Sequence, residues 1–542
     1  MVKCRSMSTQ PMNTDSRVDY YPLVAVICLF IVVLLRCAWL CDDAFITFRT
    51  VENFWNGYGL TWNIDERVQT YTHPLWMFLL AGAYGVTREF YFSSIALGVV
   101  FTLASIWLYT TRIAEGAVSA LVGVSLFVVS KAFVDFSTSG LENPLTHLLL
   151  LAFMFVAVRK PDERRSFLWL CFSAALLMLT RMDLALFVFP TLAVRCIRHF
   201  GWKAIGGALL AFAPFILWEL FALFYYGSPF PNTAYAKLNT TLPADAIMWR
   251  GMQYFLSNLT TDPLTIVVIL IGVLSPFVMK HRRLIPIAIG SALYLLYVMR
   301  IGGDYMLGRF LTAPFLVGVV ALTHVRLPRW TGYCVLAIAL VAGLAMRRSS
   351  LLSDVDYGFG KTLFDEHLIC DERAYYYHGT GLLRIPVNQK KICHLFVESA
   401  NDVHERRLTL CSSIVIGMFG FSVGPAVHVI DIVALGDPLL ARLKPLEQDQ
   451  WRPGHFYHGL PVGYQETLAT GQNVIENPGI AEFYEHLRLV TRGALWDVER
   501  LRTIVNMNLG RYDHLIRNAT PAYEEPHHLY PPADAVRDPL SL

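Results

Sequence analysis

The sequence predicts a mostly α-helical membrane protein of about eleven transmembrane helices, followed by an extracytoplasmic α/β domain. Of the 542 residues, 55% are hydrophobic and only 16% are charged, and the mean hydropathy is +0.44. Soluble domains usually carry about 25% charged residues, so this composition is typical of an integral membrane protein. The apolar runs end near residue 346, and the remaining sequence is polar.

The first apolar run, residues 21–40, contains about twenty residues, which is enough to cross a hydrocarbon core of ~30 Å. A cleaved signal peptide is the alternative. The apolar region is longer than the usual ~7–15 residues and no small-residue cleavage site follows it, so we interpret it as an anchor. Further apolar runs lie at 91–111, 117–130, 144–158, 167–181, 184–195, 204–226, 263–279, 284–300, 309–325 and 331–346.

Basic clusters predict the orientation, because Lys and Arg are retained on the cytoplasmic side. They lie at 159–166, 195–203, 280–283 and 326–329, and Lys3, Arg5 and Arg17 precede the first run. With all of these inside, the crossings alternate from residue 144 onward and the C-terminus lies outside. Earlier, the runs 74–86 and 91–111 compete for one crossing, and we predict that the shorter run is interfacial or re-entrant.

The predicted domains are a transmembrane part, residues 1–346, and an extracytoplasmic part, residues 347–542. In the second part, residues 412–435 are predicted as two apolar strands interrupted by Gly and Pro. Cys370, Cys393 and Cys411 also lie there and allow at most one disulfide. The formal net charge of +3 is too small to indicate nucleic-acid binding.

Polar residues that are unusual for a membrane protein collect on the predicted outer face. The first outer loop, residues 41–73, begins with the carboxylates Asp42 and Asp43. Four further segments reach the same face, at 137–144, 180–183, 228–237 and 302–310. Ionisable groups at membrane depth are costly unless they line a cavity, so we predict that these segments converge on one outer cavity.

The charged candidates each have a structural and a functional interpretation. Asp42 and Asp43 either cap a juxtamembrane helix or supply a general base. Asp304 and Arg309 either form an interfacial ion pair, or Arg309 binds a phosphate through its guanidinium fork. Lys237 either snorkels to the interface or binds phosphate.

The remaining candidates stay equally open. Arg181 and Asp183 form either a buried structural pair or ligand contacts. His73 is either structural or a substrate ligand, and the role of Glu142 is not assigned. An interfacial belt or a sugar-stacking surface suits the aromatic residues Trp55, Tyr58, Trp62 and Tyr71.

The chemistry that fits these residues is glycosyl transfer from a membrane-delivered donor. The chain has no Walker loop and no Gly-rich dinucleotide motif, and an outer cavity is remote from cytosolic nucleotides. A polyprenyl-phosphate sugar would place its lipid between helices, its phosphate on Arg or Lys and its sugar on carboxylates. The alternative, a lipid-glycan transporter, would need polar residues through the whole depth of the bundle, and a structural scaffold would not need these charges on one face.

The segment "DDAFITFRTVENFWNGYGLTWNIDERVQTYTHPLW" closely resembles the first loop of the terminal β-(1→2)-arabinofuranosyltransferases of mycobacteria and corynebacteria, which are GT-C glycosyltransferases. "SGLENPL", "RMD", "PNTAYAK", "GGDYMLGRF", "IDIVALGDPLLARL" and "WRPGH" are similar to other segments of that family. The resemblance implies a GT-C fold with a periplasmic C-terminal domain. It also implies a multi-pass protein of the cytoplasmic membrane, with its active site facing the periplasm. The implied donor is decaprenylphosphoryl-arabinofuranose or a similar compound.

The resemblance makes Asp42 and Asp43 the catalytic pair. The donor-binding candidates are Lys237, Asp304, Arg309, Asn232, Tyr235 and Arg181. The candidates for the acceptor site or the pocket are Asn53, Thr72, His73, Glu142, Asp183, Arg452 and His455. The expected acceptor is a glycan, either envelope arabinan or a protein or lipid glycan, and a GT-C enzyme for another lipid-linked sugar is the alternative. No cofactor is expected besides the donor, and a metal requirement stays open.

A β-linked donor that gives a β-linked product implies retention at the anomeric carbon. Either Asp42 or Asp43 is then a nucleophile, or the departing phosphate assists attack from the same face.

Overall fold

The computed structural model describes residues 21–199, 201–325, 329–346, 348–358, 363–385, 392, 394–448, 450–517 and 519–531. The predictions for Lys3, Arg5, Arg17, Cys393 and most of the basic cluster 326–329 lie outside these residues. The prediction of a mostly helical chain is confirmed, since helices occupy nearly every apolar run.

The helices of the apolar part are α1 Tyr21–Arg36, α2 Asp42–Trp55, α3 Pro74–Thr87, α4 Tyr91–Leu108, α5 Ala117–Val129, α6 Lys131–Asp135, α7 Asn143–Arg159, α8 Arg164–Thr180, α9 Ala185–Arg198, α10 Trp202–Ala211, α11 Ala213–Tyr225, α12 Asn232–Leu238, α13 Ala244–Thr261, α14 Pro263–Val278, α15 Ile285–Arg300, α16 Thr312–Thr323 and α17 Arg329–Ala345. Proline in the first turn begins several of them, including α3 and α14, because its missing N–H would be unpaired there in any case. Asp262 also caps α14, where its carboxylate accepts the N–H of Thr265 at 3.2 Å.

One helical stretch of the described residues, Tyr91–Ile113, is both long and apolar enough to cross a membrane. The bent pairs α10 with α11 (58°) and α13 with α14 (116°) also qualify when each pair is counted as one span. Several other apolar helices contain 10–17 residues. The stretch Tyr91–Ile113 covers the run 91–111, as expected, which is the longer of the two runs that compete for one crossing. The count of about eleven crossings stays a prediction.

The acidic pair does not sit at the end of α1, as the sequence suggested, but in the first turn of the separate helix α2. Residues 37–41 connect the two helices and pack against the turn between α6 and α7. The indole N–H of Trp39 donates to the carbonyl of Asp135 at 2.7 Å, and the N–H of Cys41 donates to that of Ser139 at 3.0 Å. These bonds hold the connector in a non-helical conformation and fix where α2 begins.

The C-terminal part contains both helices and strands. They are α18 Glu372–Thr380, α19 Leu395–Glu405, α20 Met418–Val423, α21 Tyr464–Thr470, α22 Pro478–Arg492, α23 Val498–Asn508, α24 His514–Arg517, β1 Leu410–Ser413, β2 His428–Asp431, β3 Leu460–Pro461, β4 Tyr523–Glu524 and β5 Leu529–Tyr530. Strands β2, β1 and β5 form a parallel sheet, with Ser412 opposite Ile430 and Leu529, and β3 pairs antiparallel with β4. Of the two strands expected in 412–435, β2 lies within this range, whereas β1 overlaps it only at Ser412 and Ser413, and α20 lies between the two strands.

The C-terminal part packs directly on the first outer loop. One buried apolar cluster contains Trp39 and Trp62 together with Val429 and Ile480. Arg49 of α2 is fully buried in this contact, where it donates to the carbonyls of Trp62 at 2.7 Å and Val427 at 2.8 Å. Burying a guanidinium is costly unless its hydrogen bonds are met, so these bonds tie α2 to the C-terminal part.

Cys370 and Cys411 are free, buried thiols in the structure. The third cysteine of the C-terminal part, Cys393, lies outside the described residues, so a disulfide that involves it stays a prediction.

Candidate active site

The two adjacent carboxylates of α2 have different surroundings. Asp42 is buried and accepts the backbone N–H groups of Gly417 at 3.0 Å and Met418 at 2.7 Å. A Cβ atom at position 417 would stand 2.0 Å from the backbone oxygen of Asp42, so the close approach requires glycine. Burial raises the pKa of Asp42 to about 7. The hydrogen bond from the N–H of Met418 lowers this pKa, whereas the negative charge of Asp43 raises it further. Asp42 therefore joins α2 to the segment that precedes α20.

Asp43 instead opens onto a cavity, with 24% of its side chain exposed. Its carboxylate oxygens lie 3.7 Å from Nη1 of Arg309 and 3.5 Å from the hydroxyl of Tyr305. In the described part of the chain, no backbone N–H donates to this carboxylate. Asp43 thus keeps more lone pairs that a substrate can reach than Asp42, both of whose carboxylate oxygens already accept a backbone N–H.

Arg309, in the 3₁₀ turn before α16, is shared among three carboxylates. Its guanidinium lies 3.7 Å from Asp43, 3.4 Å from Glu142 and 4.0 Å from Asp304. Arg309 is 9% exposed. Burial also raises the pKa of Asp304, one of the three acids. Arg309 is held firmly in place, because the negative charge of each of the three carboxylates would be costly in this low-dielectric site without the cation.

Glu142 connects Arg309 to the other predicted residues of the first loop and of the turn before α9. Its carboxylate lies 3.5 Å from Arg181 and 3.3 Å from Nδ1 of His73. Nε2 of His73 lies 2.9 Å from the hydroxyl of Thr47. Arg181 also forms an ion pair with Asp183. The structure therefore brings together His73, Glu142, Arg181, Asp183 and Arg309, which are distant in sequence.

A cavity of about 540 Å³, which we call the Lys237 cavity, lies beside this network. Its polar lining includes Thr72, Glu142, Arg181, Asp183, Lys237, Asp304 and Arg309. Its apolar lining includes Leu186, Leu238, Tyr297, Ile301 and Phe310. Lys237 is exposed to this space and has no ion pair within the described residues.

A second cavity of about 460 Å³, the Asp43 cavity, lies on the side of the C-terminal part. Its polar lining includes Asp42, Asp43, Tyr305, Glu372, Arg452 and His455. Aromatic side chains, among them Tyr375, Tyr376, Phe396 and Trp451, form much of the rest. Among the residues that the structure describes, no three His, Cys, Asp or Glu side chains gather in a cluster that could hold a metal ion.

The segment 451–455, "WRPGH", separates the two cavities. Trp451 lines both, Gly454 faces the Lys237 cavity, and Arg452 and His455 face the Asp43 cavity. The ring of His455 lies 4.3 Å from the ring of Tyr305, and burial, with the charges of Arg452 and Lys237, holds the pKa of His455 well below its usual range. A neutral imidazole can pack in this partition at little cost.

The Asp43–Arg309 contact crosses the same partition. Asp43 lines one cavity and Arg309 lines the other, with 3.7 Å between their charged groups. A molecule in each cavity could therefore approach the other at this point.

Asn232 and Tyr235 are not brought to either cavity. They lie on the other face of α12 and line a third cavity of about 560 Å³. Nδ2 of Asn232 donates to the backbone carbonyls of Ala434, Leu435 and Asp437 at 3.0, 3.1 and 3.0 Å. The hydroxyl of Tyr235 lies 2.8 Å from that of Ser228. In this structure both residues hold chain segments together, and their predicted role at the donor is untested.

Asn53 is likewise remote from the cavities. It is buried in the first loop, where its amide donates to the carbonyls of Thr61 and Trp62, each at 3.0 Å.

Tyr305, Trp451 and Glu372 are among the lining residues that the sequence did not single out. Tyr305 and Trp451 lie next to the predicted Asp304 and Arg452, so the motifs that contain them carried a signal. Glu372 had none, because it follows Asp371, which caps α18 by accepting the N–H of Ala374 at 3.2 Å. An acidic pair at a helix start usually indicates only a cap and a favourable first turn.

No protein-family model matches the chain. A terminal β-(1→2)-arabinofuranosyltransferase of Mycobacterium tuberculosis is 26% identical over 562 aligned positions, which cover 86% of this chain and 88% of the relative. A protein of the same name from Corynebacterium glutamicum is 27% identical over 327 positions, 51% of this chain and 46% of the relative. The resemblance predicted from the sequence motifs is confirmed by these two relatives.

Among solved structures, the chain resembles ArnT from Cupriavidus metallidurans. The form bound to undecaprenyl phosphate has a TM-score of 0.42 at 15% identity and covers 81% of this chain and 84% of that one. The apo form has a TM-score of 0.40 at 14% identity, with 87% and 90% covered.

Proposed function

We propose that the chain is a glycosyltransferase of the GT-C class. It transfers an arabinofuranosyl residue from a polyprenyl-phosphate donor, such as decaprenylphosphoryl-arabinofuranose, to a hydroxyl group of a glycan. The reaction takes place on the extracytoplasmic side of the cytoplasmic membrane and forms a terminal β-(1→2) linkage of envelope arabinan. Residues 1–346 are the membrane-embedded part, with about eleven crossings, and the remainder lies outside. The two named relatives, matched over 86% and 51% of the chain, support the choice of sugar and linkage.

The observation that carries the proposal is the junction of two unlike cavities at Asp43 and Arg309, whose charged groups are 3.7 Å apart. A transferase must bring a donor and an acceptor together with little water between them, and two spaces that share one partition do this.

The donor occupies the Lys237 cavity in this proposal. Its phosphate contacts Lys237, Arg309 and Arg181, because guanidinium and ammonium groups form charge-assisted hydrogen bonds with phosphate oxygens. The first units of the lipid lie along the apolar lining, which includes Leu238 and Phe310. These cations also stabilise the charge that develops on the phosphate as it leaves.

The acceptor occupies the Asp43 cavity. During transfer, the bond between the anomeric carbon and the phosphate oxygen breaks, and its electron pair leaves with the lipid phosphate. A bond forms between the anomeric carbon and the acceptor oxygen, whose proton passes to a carboxylate oxygen of Asp43 or to an oxygen of the departing phosphate. Asp43 is the carboxylate at this carbon, because Asp42 is already engaged by two backbone N–H groups.

The test is a transfer assay with the purified protein in detergent. Synthetic polyprenylphosphoryl-arabinofuranose and a short arabinoside acceptor are supplied, and NMR determines the linkage and anomeric configuration of the product. The proposal predicts a β-(1→2)-linked arabinofuranosyl product. A folded protein that turns over a different polyprenyl-phosphate sugar, but not this one, would disprove the choice of arabinose.

A further inference from the structure

Glu372 brings a carboxyl group into the Asp43 cavity from the C-terminal part of the chain. It is the first residue of α18 and is 6% exposed, and its side chain lines the cavity together with Asp43, Tyr305 and Arg452. Within the described residues, the carboxyl group of Glu372 has no ion pair and no hydrogen bond. A buried acid without a partner costs free energy, which favours a role in binding a molecule that enters the cavity.

The electrostatic setting favours the neutral form of this acid. Burial, together with the negative charges of Asp43, Asp304 and Asp42, raises the pKa of Glu372 well above its usual range, and the charge of Arg452 opposes this shift. A protonated carboxyl group offers one hydrogen-bond donor and an acceptor side by side.

The rest of the cavity lining indicates what the neutral acid meets. Asp42, Asp43 and Asp431 line the same space, against the single arginine Arg452. An anionic ligand would be repelled there, and an apolar ligand would leave the acids unpaired. An uncharged molecule with neighbouring hydroxyl groups satisfies both conditions, and aromatic rings such as Tyr376 and Trp451 provide surface for its C–H faces.

We propose that Glu372 is an acceptor-binding residue, whose carboxyl group donates one hydrogen bond to, and accepts another from, hydroxyl groups of the incoming glycan beside Asp43. This inference rests on the proposed function, and it assigns to the C-terminal part a direct contact with the acceptor.

The test compares Glu372→Gln with Glu372→Ala in the transfer assay. The amide of Gln keeps a donor and an acceptor, so we expect kcat and the acceptor KM to stay within about threefold of wild type. The Ala variant loses both hydrogen bonds and should raise the acceptor KM about tenfold or more, without a change in the donor KM. Loss of kcat in Glu372→Gln would overturn the proposal, because it would indicate a group that must ionise. An unchanged acceptor KM in Glu372→Ala would also overturn it.

A matched control is Glu366→Gln, which changes a carboxylate of the same region whose side chain is 85% exposed. It should behave as wild type. If Glu372→Ala does not fold, Glu372→Leu removes the same hydrogen bonds while filling the space.

A binding measurement separates this inference from the proposed function. Saturation-transfer NMR with an arabinoside and no donor should give binding to wild type and Glu372→Gln, and about tenfold weaker binding to Glu372→Ala. Equal binding to all three would contradict the role of Glu372. Failure of wild type to transfer arabinose would instead contradict the choice of donor and leave this comparison intact.

Discussion

The Lys237 cavity and the Asp43 cavity are similar in size, about 540 and 460 Å³, but differ in charge, because the first lining sets three cations against three acids and the second sets one arginine against four acids. The first places Arg181, Lys237 and Arg309 beside an apolar lining, and the second places three aspartates and Glu372 among aromatic rings. The first lining suits a lipid that carries an anion, and the second suits an uncharged polyhydroxyl compound. In the proposed function, the chain therefore keeps two chemically unlike partners in separate spaces that meet at the ion pair of Asp43 and Arg309.

Asp42 and Asp43 repeat this contrast between neighbouring residues. Asp42 accepts two backbone N–H groups from the C-terminal part, whereas Asp43 faces a cavity and Arg309. We therefore propose that the first position is structural and the second is chemical, although both side chains are identical.

Asp43→Asn should reduce kcat for transfer about 10³-fold, because the amide can neither take a proton nor attack the anomeric carbon. Donor binding should stay within a few-fold of wild type. Single-turnover assays with radiolabelled donor give both quantities. Glu482→Gln, an exposed substitution on α22, is the control and should have wild-type activity. Substantial turnover in Asp43→Asn would move the chemistry to another group.

Arg309→Lys should reduce kcat/KM for the donor about 10²-fold, even though the charge is kept. A lysine cannot contact Asp43, Glu142 and Asp304 as the guanidinium does, and it lacks the planar fork that binds phosphate. Steady-state kinetics with varied donor measure the effect. The control is Arg406→Lys, which changes an arginine whose side chain is 58% exposed. This variant should have no effect on kcat/KM for the donor. If both variants behave alike, Arg309 does not contact the donor.

Lys237→Met should raise the donor KM about tenfold and leave the acceptor KM unchanged. Methionine keeps the length of the side chain but removes a charge that has no ion-pair partner in the described part of the chain, so the fold should be retained. An effect on the acceptor KM alone would place the acceptor, and not the donor, in the Lys237 cavity.

Asp42→Asn should lower stability by about 1–3 kcal/mol at low pH and activity by only a few-fold, because the amide offers one acceptor oxygen to two N–H groups. The pKa of Asp42 is raised from its usual 3.8 to about 7, so the folded protein binds this proton more tightly than the unfolded chain. The stabilisation is present below pH ~4 and is lost as the pH rises to about 7.

Thermal unfolding in detergent at several pH values tests this sign. The advantage of wild type over Asp42→Asn should shrink between pH 4 and 7. An advantage that grows over this interval would mean that the folded state prefers the charged carboxylate.

The sequence predicted the helices well, because long apolar runs leave few alternatives. It also predicted the charged lining residues of the Lys237 cavity, since groups such as Arg181, Lys237 and Arg309 are charges that membrane-length segments rarely tolerate. It could not separate the two faces of α12, where Asn232 and Tyr235 point away from Lys237, because the register of a seven-residue helix depends on its packing. It also missed Glu372, whose role depends on contacts between segments more than 300 residues apart.

The central claim is that the donor phosphate lies in the Lys237 cavity with its sugar directed at Asp43. A cryo-electron-microscopy structure of the Asp43→Asn variant with a polyprenylphosphoryl-arabinofuranose tests it most directly. The account predicts phosphate density within hydrogen-bonding distance of Arg309 and Lys237, and the anomeric carbon facing position 43. Phosphate density in the Asp43 cavity, or in the cavity lined by Asn232 and Tyr235, would contradict it.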